Sequence, residues 1–371
     1  MLTEMEQTAQ QMGISFELSE EQRQFQELAH DFAENEIRPV AAEYDEKEEF
    51  PWPVVEKAHK LGLMSYAFPE ECGGAGATSA MTAVLISEEL AWGCAGIATA
   101  IGGTGLCATP ILVAGTDAQK KKYLGRLADT SKLKLGAYAI TEPNAGSDVS
   151  SLRTSAKKVD GGYVLNGTKQ FITNGGLADI YTVFATLDPS LGADGICAFI
   201  VEKEMGVKSG RKERKMGIRA STTAQVIFDD VFVPDENRLG EEGEGFVVAM
   251  KTFEHTRPEV AALAVGVARA AFEYALDYST QREQFGRQIA KFQAISFMLA
   301  DMATAIDASR LLTWRSAWLL DQGQPQNKEA SMAKLFAADT AMKVTTDAVQ
   351  ILGGVGYTRE YPVEKWMRDA K

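Results

Sequence analysis

The chain reads as an α+β protein in three successive textures: helical at the N-terminus, β-rich in the middle and helical to the end. Three observations carry this. Helix-start signals and long apolar stretches fill the first third. Short apolar runs separated by turn residues begin near Leu135 and continue to about Leu239. From about Gly245 the apolar spacing returns to three and four. Strands and helices do not alternate and no internal repeat is present, so a doubly wound parallel sheet is not expected.

Taken in order, residues up to about Ser15 are mostly polar and read as a loose N-terminal extension, 1–15. Ser19 with Gln22 has the S-x-x-Q form of a capping box, and Thr116 with Gln119 repeats it. Pro69, Gly73, Gly74 and Gly76 mark a loop, and a helical run follows near Met81 to Ala91. This helical region spans 16–134. In the middle region, 135–242, Asp160-Gly161-Gly162 is a turn between strands, and Asn166-Gly167 predicts a second hairpin leading into Lys169 to Thr173. Further strands are expected at Ile180 to Ala185, Ile196 to Val201 and Val226 to Val233. In the last region, 243–371, long helices are predicted over about 246–279, 288–322 and 328–352. Pro258 is expected to kink the first of these or reset its start. Phe292, Ile295, Leu299, Met302 and Ile306 form one apolar stripe on the second.

Composition narrows the function class. With 45% hydrophobic and 24% charged residues the chain is ordinary for a globular protein, and 371 residues can bury a large core. A net charge of −13 argues against a general nucleic-acid binder, which needs a basic face. Four separated cysteines and three histidines provide neither disulfide stapling nor metal-ligand spacing, so no metal is expected. There is no signal-peptide pattern, and the most apolar stretch, Val260 to Ala268, is cut by Arg269 and too short to span a bilayer. These features read as a reduced, soluble, intracellular protein without an integral membrane segment.

Several segments could carry chemistry, each beside a plainer role. Gly103-Thr104-Gly105-Leu106-Cys107-Ala108 fits the dinucleotide fingerprint G-x-G-x-x-A, but its flanks are helical and Pro110 follows, so tight helix packing is the expected role. Tyr138-Ala139-Ile140-Thr141-Glu142-Pro143-Asn144-Ala145-Gly146-Ser147-Asp148 leaves a strand into a loop of hydroxyls and free amides. It suits a phosphate or a flavin edge, or simply closes a strand. Phe171-Ile172-Thr173-Asn174-Gly175-Gly176 is a second strand end, Arg282-Glu283-Gln284-Phe285-Gly286-Arg287 an interhelical loop, and Gln350-Ile351-Leu352-Gly353-Gly354 a glycine-capped helix end.

Together with M-G-I-R-A-S, T-R-P and Y-P-V-E-K-W-M-R-D-A-K, the order of these segments resembles the acyl-CoA dehydrogenase family, nearest its short- and medium-chain members, from about Phe16 to Lys371. The resemblance implies an N-terminal helical domain, a central β-barrel-like domain and a C-terminal four-helix bundle, assembled as a homotetramer with one FAD per subunit. By position, Tyr138, Thr141 and Ser147 would contact the cofactor, with Phe171 and Thr173 flanking its ring system. Many relatives carry Trp at the position of Phe171. Arg282, Phe285, Gln293, Gln350, Gly353 and Gly354 would reach the FAD of a neighbouring subunit. The CoA arm of the substrate would pass Ser147, Glu254, Thr256 and Arg257.

The implied reaction converts a saturated straight-chain acyl-CoA to its trans-2-enoyl-CoA and passes electrons to electron-transfer flavoprotein, in the cytoplasm or, for a eukaryotic chain, the mitochondrial matrix. The family's usual glutamate base falls half a dozen residues after R-D-A-K, beyond Lys371, so no catalytic residue is assigned and a further C-terminal segment is expected. A branched-chain subgroup carries its glutamate at the position of Thr256, which cannot serve. Enoyl-CoA reduction in an electron-bifurcating complex, a flavin monooxygenase or nitroalkane oxidase, and a silent binding protein are the competing readings. Acyl length would depend on the segment Ile97 to Thr109. Its small residues Gly102, Gly103, Gly105 and Ala108 could leave space or pack helices; both stay open.

Overall fold

The computed structural model describes residues 16–371; the proposed extension 1–15 lies outside the described residues. The N-terminal region folds as α1 (Glu20–Phe32), α2 (Ala41–Lys47), α3 (Trp52–Lys60), α4 (Ala80–Ala114) and α5 (Asp117–Ala128). Both capping boxes form. Ser19 and Gln22 exchange side-chain and backbone hydrogen bonds at the start of α1, and Thr116 and Gln119 do the same at α5.

Helix α4 is the longest apolar element before the sheet. Its length and mean hydropathy of 1.7 would suit a membrane span, which the shorter stretch Val260 to Ala268 would not. It is instead a core helix. It is interrupted at Cys94, where the backbone is extended, and most of its length is buried against neighbouring elements. Glu88 and Glu89 on it are buried and ion-paired with Arg269, Arg310 and, for Glu89, His30, which ties α4 to three other helices. Such desolvated charges are tolerable only because each carboxylate is matched by a cation.

The middle region holds β1 (Gly136–Ala139), β2 (Ser155–Val159), β3 (Gly162–Thr173), β4 (Ile180–Thr186), β5 (Ile196–Glu202), β6 (Lys208–Lys212), β7 (Thr223–Pro234) and β8 (Arg238–Leu239). They form one mixed sheet in the order β6-β7-β3-β2-β4-β5-β8, with β1 parallel to β4. This corrects the barrel expectation. The two ends of the sheet, β6 and β8, do not pair with each other, so the sheet is open. Strand β8 is two residues long, and β6 is a largely exposed Lys-Ser-Gly-Arg-Lys segment whose charges suit an unpaired edge. A second correction concerns Asn166-Gly167. The turn at Asp160-Gly161 does join β2 to β3, but β3 continues through Asn166 and Gly167, where the register with β7 shifts. The dipeptide makes a bulge, not a hairpin, because β7 supplies a partner on both sides of it.

The C-terminal region consists of α6 (Gly245–Gln281), the small hairpin β9 (Glu283–Gln284) and β10 (Arg287–Gln288), α7 (Gln293–Asp321), α8 (Asn327–Leu352) and α9 (Val363–Ala370). Three long helices and one short one stand where four bundle helices were expected. Helix α6 runs through Pro258 without a break in its assignment. Leu299, Met302 and Ile306 of the predicted stripe are buried. Helix α6 lies close to α4 at Gly266, where a Cβ atom would meet the Glu88 carbonyl at 2.2 Å; only glycine permits this approach. Helices α6 and α8 run side by side from the Arg257–Asn327 hydrogen bond to the contact of Tyr278 with Tyr361 beyond the end of α8.

Candidate functional site

Strand β1 and the last residues of β3 lie side by side and run in opposite directions, forming one rim beside the sheet. The Gln170 amide donates to the Thr141 carbonyl at 2.8 Å, and the Asn174 side-chain amide donates to the Gly136 carbonyl at 3.1 Å. These bonds bring Tyr138, Thr141, Phe171 and Thr173 together. Ser147 lies on the loop that follows, whose turn is closed by reciprocal backbone bonds between Glu142 and Ala145. A second register shift between β3 and β7 falls at Lys169/Ile172, and there Phe171 adopts a left-handed conformation (φ 57°). The ladder is broken, so the ring turns outward and is 62% exposed. A large aromatic side chain held out in a strained backbone conformation suits stacking on a planar ligand.

Tyr138 has the opposite placement. It is buried, its ring packs on Phe184 and Phe253 at 5.0 and 5.8 Å, and its hydroxyl has no hydrogen-bond partner among the described residues. Burial raises its pKa, so the phenol remains a neutral donor. Phe253 connects this rim to the α6 segment that carries Glu254, Thr256 and Arg257. The Arg257 guanidinium donates to Asn327 Oδ1 at 2.7 Å, and the Thr256 hydroxyl donates to the Thr252 carbonyl at 3.0 Å, leaving its lone pairs free. The Glu254 carbonyl accepts from Gln326 at 2.6 Å, so this turn of α6 is braced from α8.

Gly103 packs under the rim. A Cβ there would lie 2.9 Å from both Thr173 Cγ2 and Asn174 Nδ2, and the G-x-G-x-x-A stretch is mid-helix, as the packing role requires. Gly102 and Gly105 meet nothing within 4 Å, so each leaves open space.

The remaining predicted residues stand elsewhere. Arg282, Phe285, Gln293, Gln350, Gly353 and Gly354 gather at the far end of α6 and α8, all exposed, with Phe285 94% exposed at the hairpin tip. The distance along α6 from Arg257 to the Arg282 cap is roughly 37 Å at about 1.5 Å per residue. One chain does not bring the two groups together. A cavity of about 360 Å³, lined by Arg38, Tyr274, Tyr361 and Trp366 among others, contains none of the predicted residues.

Three family models cover the chain in sequence: the acyl-CoA dehydrogenase N-terminal domain over residues 19–131, the middle domain over 137–231 and the C-terminal domain over 243–371. The chain belongs to the acyl-CoA dehydrogenase family. Among solved structures, it is 48% identical to the butyryl-CoA dehydrogenase of Megasphaera elsdenii, with a TM-score of 0.93 over 96% of this chain and 94% of that one. A chain from a structure described as the electron transferring flavoprotein of Acidaminococcus fermentans, in work on flavin-based electron bifurcation, is 46% identical with a TM-score of 0.93, covering 96% and 94%. PigA, solved with FAD and proline, is 29% identical with a TM-score of 0.91, covering 96% and 94%.

Two further pairs in this acyl-CoA dehydrogenase escaped the sequence reading. Lys169, fully buried, donates to Glu142 Oε1 at 2.8 Å and to the Ile140 carbonyl at 3.0 Å. Burial pulls the ammonium down to about 8 even against its partner, and Lys169 with the neighbouring amides holds the Glu142 carboxyl below its ordinary value. Both residues lie inside quoted motifs, yet nothing in their spacing says that they meet. The second pair is Glu259 and Tyr66. Glu259 lies three residues after Thr256 on α6, has no hydrogen bond among the described residues, and is pushed up to about 7 by burial. The Tyr66 phenol is pushed up by burial and, beyond that, by the charge of the Glu259 carboxylate. A charged residue directly after T-R-P was the available signal.

Proposed function

We propose that this enzyme dehydrogenates a saturated straight-chain, short- to medium-chain acyl-CoA at its α,β bond to the trans-2-enoyl-CoA, with FAD as cofactor and electron-transfer flavoprotein as acceptor. The observation that carries the reading is the rim itself: an outward aromatic at Phe171, hydroxyls at Thr141 and Thr173, and the unpartnered buried Tyr138 hydroxyl, beside the braced Arg257. These residues fit a flavin: Phe171 offers a stacking face, and the hydroxyls and strand-end amides offer hydrogen bonds to its polar edge. Bound FAD supplies the hydride acceptor that no side chain can provide.

The chain's own residues orient the substrate and exclude water. Arg257, fixed by Asn327, presents a cation for the anionic CoA arm, with Ser147, Glu254 and Thr256 along its path. Open space beside Gly102 and Gly105 suits an acyl chain running past α4. Glu142 is no base: three donors saturate its carboxylate and its pKa is lowered, so it stays ionised and structural.

The second group of residues, from Arg282 to Gly354, completes the cofactor site of a neighbouring subunit in a homotetramer. Its exposure and its distance from the first group support this. Anaerobic titration of the purified flavoprotein with acyl-CoAs of graded length, followed by flavin absorbance, tests the reading. Bleaching by butyryl- to dodecanoyl-CoA supports it and ranks the substrates. A full-length FAD-loaded protein that none of these bleaches refutes it.

A further inference from the structure

The rim that presents Thr141 and Phe171 is built over one buried ion pair. Lys169 immediately precedes the bulge that turns Phe171 outward, and its ammonium reaches back to the Ile140 carbonyl at 3.0 Å and to Glu142 at 2.8 Å, the residues on either side of Thr141. Glu142 in turn accepts the Arg153 amide at 2.7 Å and the Thr154 amide at 2.9 Å, so the chain entering β2 is held by the same carboxylate. The Gln170 amide closes the circuit on the Thr141 carbonyl at 2.8 Å. Three segments therefore meet at two charged side chains: the end of β1, the start of β2 and the bulge of β3. Among the described residues, no other side chain makes the bonds that hold Thr141 against the bulge.

We propose that the Lys169–Glu142 pair is a positioning device for the cofactor, fixing the distance and angle between Thr141 and Phe171. It rests on the reading that this rim holds FAD. The pair is costly to build: an amine with no solvent contact must be matched in full, and a hydrocarbon pair would give core stability more cheaply. What a hydrocarbon pair cannot do is clamp two backbone amides and a carbonyl at once. Both side chains are buried behind the rim and present no face to a ligand on it. The charge of Lys169, placed directly beneath the Thr141 peptide, also biases the polarity of the donors that Thr141 presents.

The test compares holoenzyme carrying Lys169→Met, Glu142→Gln or both with the wild type. The measurements are the FAD dissociation constant, the visible flavin spectrum and the melting temperature of the FAD-free protein. Lys365→Met, which breaks a similarly buried ion pair with Asp369 away from the rim, is the control. Either rim variant is expected to weaken FAD binding by about tenfold or more, the worth of one charged hydrogen bond, and to shift the flavin bands. The control is expected to lower melting alone. Should a single variant fail to fold, the double variant, which leaves no unmatched charge, is read by the same criteria. Folded rim variants with wild-type affinity and spectrum overturn the proposal. A wild-type protein that takes up no FAD overturns the underlying reading and this one with it.

Discussion

Glu259 provides the sharpest test of the electrostatics beside the site. Its half-buried side chain on α6 is crowded by packed atoms, and its carboxyl is pushed up to about 7 from an ordinary 4.5 by burial. Between those two values the folded protein keeps a proton that the unfolded chain releases. Stability therefore falls as pH rises through the window and carries the full penalty above about 7. The shift corresponds to about 3 kcal/mol at about 1.36 kcal/mol per unit, and residual solvent contact reduces this to roughly 1–3 kcal/mol. Glu259→Gln removes the charge and keeps the shape. At about 2.1 cal/mol/K per residue, a chain of this length gains roughly 1.3 °C per kcal/mol. The variant should thus melt about 1–4 °C above wild type at about pH 8 and level with it at about pH 4, below the window, by differential scanning calorimetry. Equal melting at both pH values, or a gain confined to acid pH, would refute the reasoning.

Three further outcomes are expected. Gly103→Val places carbon against Thr173 and Asn174, so overpacking should cost about 1–3 kcal/mol in urea unfolding and lower FAD retention as well. Arg257→Ala should raise the KM for acyl-CoA by about tenfold to a hundredfold with a smaller change in kcat, and Arg257→Lys should recover part of it; an unchanged KM would detach Arg257 from the CoA path. Phe285→Asp puts a charge on an exposed aromatic at the hairpin tip. Light scattering should show a smaller assembly and spectroscopy a loss of flavin, whereas an intact tetramer with full flavin content would show that this end of the bundle does not serve a neighbour.

What could be read in the sequence follows from which interactions are local. The capping boxes at Ser19 and Thr116, the turn at Asp160-Gly161 and the Leu299, Met302 and Ile306 part of the stripe predicted from Phe292 each depend on residues within a few positions, and each is found in the structure. Closure of the sheet depends instead on whether strands far apart in the chain meet, and the two-residue β8 and charged β6 leave the ends unpaired. Asn166-Gly167 misled for the same reason: a dipeptide that favours a hairpin becomes a bulge when a long partner strand, β7, pairs on both sides.

The site divides along that line too. Thr141, Phe171 and Thr173 stand in motifs, and the hydrogen bonds from Gln170 to Thr141 and from Asn174 to Gly136 bring them to one rim. The letters of those motifs do not explain why Phe171 points outward. That requires the bulge, and the bulge stands over Lys169, whose only way to remain buried is to find Glu142 twenty-seven positions earlier. In T-E-P and T-K-Q-F the exposed residues look like the chemistry and the charged ones like solvated turns. The structure reverses that assignment: the charges are inside, and they decide where the visible residues can stand.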